Sequence, residues 1–262
     1  MGFLLFLICL AASSIGAIVG AGGGVIIKPV VDLLGILPVS TVSFCSGCAV
    51  LCMSVSSLIR TRNNGVKLEL KISTMLAIGA AAGGLAGKQL FDLVRRSFAN
   101  ENILGAIQAL LLAVLIIIVL IYVCRKDSLP SLHVKSLLIT AAAGFILGTC
   151  SSFLGIGGGP PNVAVLFLLF SMDAKTAAKN SLYIIIFSQL TSIASAVLTD
   201  SVPSFEWPVL IFMAAGGVGG ALVGAAVTKR IENKGVEKLL KLLCVLVIAI
   251  CVFNILKFTV LA

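Results

Sequence analysis

The sequence predicts an all-α polytopic membrane protein made of two homologous, inverted repeats. Three observations predict it. Of 262 residues, 60% are hydrophobic and only 11% are charged. Apolar runs such as 103–123 and 236–255 are long enough to cross a hydrocarbon core of roughly 30 Å. A glycine break also occurs twice, as Gly20-Ala21-Gly22-Gly23-Gly24 and as Gly155-Ile156-Gly157-Gly158-Gly159, 135 positions later. Broken helices at corresponding places in two halves point to a transporter's substrate site.

The elements follow in order. The first apolar segment, 2–19, runs straight into the first glycine break. Residues 1–17 look like a secretory leader but have no basic start, so they are expected to remain as a helix. The second segment, 25–37, is too short to span and carries Lys28-Pro29 and Asp32. The third, 42–59, is rich in serine and holds Cys45, Cys48 and Cys52. The fourth, 72–93, contains Gly83-Gly84, and the fifth is 103–124.

A basic linker, 125–135, precedes a second set: 134–153, 163–170, 176–198, 207–227 and 236–257. Its second member is short as well, and Gly219-Gly220 answers Gly83-Gly84 at an offset of 136. The chain therefore divides into repeats at 1–127 and 128–262 within one integral transport domain. The two short segments read as re-entrant half-helices, which leaves about eight spanning helices. Non-helical backbone at membrane depth must be shielded by protein or line a wet cavity.

Loop charge orients the chain. The stretch 60–71 carries Arg60, Arg62, Lys67 and Lys71, and 229–238 carries Lys229, Arg230, Lys234 and Lys238. Both are placed inside the cell. The stretch 199–206 has no Lys or Arg but has Asp200 and Glu206, and is placed outside. Matching loops thus swap sides, the halves are inverted, and both termini lie on the outer face. Arg95 and Arg96, with Asp92 and Glu101 near them, resist this scheme, because the rule counts basic residues.

The net charge of +9 does not indicate nucleic acid, since the cations sit in short loops without interleaved aromatics. No enzyme signature is present. Membrane segments hold no carboxylate pair, and the one histidine, His133, builds no triad. No metal or cofactor is called for, because none of the eight cysteines has partners at zinc spacing. Cys45, Cys48 and Cys52 share a helix face; the plain reading is small residues at helix contacts, the sharper one a thiol relay.

Three consecutive glycines suit a break better than a packing face, which needs small residues every fourth position. The half-helices begin near Val25 and Pro160, where free backbone N–H groups and the positive dipole end attract anions. Gly22, Gly23, Gly24, Gly157, Gly158 and Gly159 are therefore candidate substrate-binding residues. Lys28 stands in an apolar stretch and supplies the candidate fixed charge; Asp32, one turn on, offers an ion-pair alternative and is the candidate coupling carboxylate. Asn162, Lys179, Asn180 and Ser46 complete the expected lining, and Ser181 aligns with Ser46.

At these residues the chain resembles the TauE/SafE sulfite-exporter family, also called the TSUP family. The resemblance rests on 16–24 leading into Val25-Ile26-Ile27-Lys28-Pro29, on 43–54, and on the second copy at 148–161 and 177–192. It covers nearly the whole chain, although Pro160-Pro161-Asn162 replaces Val25-Ile26-Ile27. It implies a permease for a small sulfur-containing or carboxylate anion such as sulfite or a sulfonate. The expected function is thus secondary transport, with a small anion and the lipid bilayer as partners and a homo-oligomer as an open possibility. Three rivals are an anion channel that uses the same residues, a thiol-redox membrane protein that uses Cys45, Cys48 and Cys52, and a non-transporting assembly or receptor subunit.

Overall fold

The computed structural model describes residues 1–97, 101–128 and 132–260. Parts of the basic linker and of the stretch after Arg96 lie outside the described residues. Described residues form ten α-helices and no strand: α1 Gly2–Val19, α2 Gly24–Leu34, α3 Val39–Arg60, α4 Leu70–Ser97, α5 Glu101–Arg125, α6 Leu137–Leu154, α7 Pro160–Phe170, α8 Ala174–Leu198, α9 Trp207–Thr228 and α10 Asn233–Val260. Eight are long and apolar enough to cross a bilayer; α2 and α7, with 11 residues each, are not. Outward faces carry bare apolar side chains such as Leu138, Leu198 and Ile211, as lipid contact requires.

Glycine sets the helix pairing. α4 packs on α6, and α1 packs on α9. A Cβ on Gly79, Gly83 or Gly87 would stand 2.0, 2.1 or 2.3 Å from the carbonyl oxygens of Ala141, Phe145 and Thr149. Gly144 and Gly148 return the contact against Leu76 and Ala80. On α9, Gly216 and Gly220 lie against Phe6 and Leu10 in the same way. Without a hydrophobic force between helices in lipid, such backbone approach is what associates them. Gly83, Gly84 and Gly220 thus sit against neighbouring backbone, while Gly219 meets only the tip of Leu10.

Register gives direction. Gly216, Gly220 and Gly224 meet Phe6, Leu10 and Ala17 in turn, so α1 and α9 run parallel. α4 and α6 run parallel by the contacts above. α3 and α8 run antiparallel, since Gly47 faces Gln189 while Lys179 bonds to Thr61. α5 and α10 are antiparallel too, joined by Gly105 against Phe258 at one end and the Lys126–Glu237 ion pair at the other.

Candidate functional site

Each glycine break ends one helix and starts another inside the bundle. α1 stops at Gly20 and α6 at Gly155, each in the left-handed conformation, with φ 74° and 64°. Gly158 and Gly159 reach φ 114° and 138°, which a residue with a side chain rarely adopts. The chain then re-enters a helix at Gly24 and at Pro160. Pro160 suits the first helical position, where its missing N–H would have no partner.

The two breaks meet. A Cβ on Gly24 would lie 2.1 Å from the Ile156 carbonyl oxygen, and one on Gly159 3.5 Å from that of Ala21. The N-termini of α2 and α7 therefore abut at one place, both positive dipole ends directed there. Two serines hold this arrangement. Ser46 Oγ of α3 donates to the Gly155 carbonyl at 2.9 Å, and Ser181 Oγ of α8 donates to the Gly20 carbonyl at 2.6 Å. Each serine ties down the turn of the opposite half.

Asn162 sits at the second turn, 2% exposed, with its side-chain oxygen unpartnered. Its amide nitrogen would lie 3.1 Å from a Cβ on Gly158. Val50 and Ile185 were not singled out by the sequence. Both are fully buried and both press on the glycines: Val50 on Gly22, Gly24 and Gly157, Ile185 on Gly22 and Gly158. Their one sequence signal is that they stand 135 positions apart, the same offset as the glycine breaks.

The other expected lining residues lie elsewhere. Lys28 Nζ donates to Asp32 Oδ2 at 2.6 Å, with both side chains buried. The pair borders a small cavity beside Gln108 and Asn254, away from the glycine turns. Lys179 Nζ donates to the carbonyls of Thr61 and Val66 and to Asn64 Oδ1, at 2.8–3.1 Å. Asn180 accepts from the Glu69 amide and from Ser73. These two residues pin the segment between α3 and α4 to the start of α8. Cys45, Cys48 and Cys52 are free thiols on α3.

The sequence profile of the sulfite exporter TauE/SafE family matches residues 5–252. The chain is also similar to a probable membrane transporter protein, YunE, of Bacillus subtilis (strain 168), at 22% identity over 94% of this chain and 96% of that protein. No solved structure matches. With ten helices, eight of them able to span, and a family profile over nearly all its length, this chain belongs to the sulfite exporter TauE/SafE family and is a multi-pass membrane transporter.

Proposed function

We propose that the protein is a secondary transporter that carries a small sulfur-containing or organic anion, such as sulfite or a sulfonate, between two inverted repeats. One observation carries the reading: the N-termini of α2 and α7 abut inside the bundle. Two helix starts aimed at one point favour negative charge there. Asn162, Gly22–Gly24 and 157–159 supply polar groups there. The Lys28–Asp32 pair is a candidate coupling element rather than the anion's direct partner, because it borders a separate small cavity with Gln108 and Asn254.

Inversion is supported by direction and reciprocity. α3 and α8, which correspond under the 135-residue offset, run antiparallel; so do α5 and α10. The pairings α1–α9 and α4–α6 map onto each other when the halves are exchanged. Such a pair of halves allows one to rock against the other around a fixed site.

The test is uptake of radiolabelled sulfite or sulfoacetate by the purified protein in vesicles. Saturable uptake with counterflow is expected. Linear, non-saturating flux would indicate a channel, and no flux of either anion would overturn the reading.

A further inference from the structure

The bundle holds a small recess of about 30 Å³ that borders the second glycine turn but takes in none of the residues assigned above to the anion. It lies between α3, α4, α6 and α8. Six of the residues that line it decide its chemistry: Ser43, Gly47, Lys88, Ser152, Gly155 and Gln189. The hydroxyls of Ser43 and Ser152 and the amide nitrogen of Gln189 have no hydrogen-bond partner. Ser152 and Gln189 are 7% and 3% exposed. Buried polar groups are almost always paired in folded proteins, so three unpaired ones around one recess ask for a reason.

The groups are of one kind. Hydroxyls and an amide N–H₂ can donate, and Lys88 adds a fixed positive charge. Lys88 Nζ bonds Asp92 at 2.7 Å, but Asp92 itself does not line the recess. A small oxyanion is the ligand that accepts from donors of these kinds.

Under the 135-residue offset Ser43 and Ser152 correspond to Ala178 and Ala17, Gly47 to Leu182 and Gln189 to Ser54; Ser188, outside the recess, corresponds to Met53. Ala17, Leu182 and Met53 form a closed apolar cluster with Val50, Ile185 and Ala221, all buried. Both unpartnered serines of the recess thus have alanine counterparts at the other end of the bundle, where Gln189 is matched by a serine.

We infer that this recess is the docking site from which a small oxyanion reaches the glycine turns, held by Ser43, Ser152, Gln189 and Lys88. The inference rests on the transporter reading and names where the anion first binds. It also gives Arg95 and Arg96 a role: they stand two turns beyond Lys88 on the same helix, near Asp200, where cations draw anions to the mouth.

The test measures sulfite and sulfoacetate binding to the purified full chain by ligand-induced thermal shift, beside uptake in vesicles. Ser152→Ala and Gln189→Leu should each raise the dissociation constant at least tenfold. Ser54→Ala, which removes a buried unpartnered hydroxyl outside the recess, should leave it unchanged. If wild type and both recess variants bind equally, the docking site is overturned while the transporter reading stands. If wild type neither binds nor moves either anion, both fall. Gel filtration reports folding; should Gln189→Leu aggregate, the milder Ser152→Ala decides alone.

Discussion

At the scale of single residues, buried charge and the serine ties make the sharpest demands. Lys28 and Asp32 are 2% and 7% exposed, and Asp32 keeps one carboxylate oxygen without a partner. Removing one member leaves the other charge uncompensated, which costs about 3–5 kcal/mol, whereas removing both is often nearly neutral. Lys28→Met and Asp32→Asn should therefore each lower the melting temperature in detergent sharply, and the double variant should recover most of the loss. Equal loss in the double variant would show that the pair does more than balance itself. Ser46→Ala and Ser181→Ala form a second test. Each removes one hydrogen bond to a glycine-turn carbonyl, about 1 kcal/mol. The two losses should be similar, because the serines do the same task in opposite halves, and chemical denaturation would reveal any inequality.

At the scale of elements, close approach of backbones governs. Gly220 and Gly219 are neighbours on α9 with opposite surroundings. A Cβ on Gly220 would lie 2.6 Å from the Leu10 carbonyl oxygen, while one on Gly219 meets only the tip of Leu10 at 3.4 Å. Gly220→Ala should push α1 from α9 and reduce stability by about 1–3 kcal/mol, as overpacking does. Gly219→Ala should be neutral or stabilising, because alanine is the better helix former. Thermal denaturation of the two variants side by side checks this.

The helices themselves were legible in the sequence, because apolar length and glycine punctuation are local signals. The expected segments 25–37 and 163–170 fall on α2 and α7, and the turns lie where three glycines demanded them. Lateral pairing was not legible. Lys179 and Asn180 look like cavity residues by their place at a helix start, yet they bind the 61–69 backbone, which only the packing of α8 on α4 brings near. Val50 and Ile185 escaped notice for a similar reason. An aliphatic side chain in an apolar helix gains meaning only from what it presses against.

At the scale of the whole molecule, basic residues gather at one end of the bundle. The segment with Arg62 and Lys67 is tied to the start of α8 by Lys179 and Asn180. The start of α8 meets the start of α10 through Asn233, and α10 pairs there with the end of α5 through Lys126 and Glu237. Lys67, Lys71, Arg125, Lys229, Arg230 and Lys234 thus collect at one end. α4 and α8 run parallel, with Ser73 on Asn180 and Ala81 on Thr191, so Asp200 lies at the opposite end. From the concentration of basic residues we predict that the Lys67 end faces the cytoplasm, with Arg95 and Arg96 as exceptions at the other end. Lys67 and Asp200 are both exposed, so each can be probed without disturbing the core. A cysteine at either position in a cysteine-free background should react with a membrane-impermeant thiol reagent from one side only. Lys67→Cys should label after the membrane is opened, and Asp200→Cys in intact cells. If both label in intact cells, the parallel run of α4 and α8 fails and with it the inverted arrangement. If the sides are simply exchanged, the bundle stands and the docking recess faces the cytoplasm, which would make the protein load from inside as an exporter must.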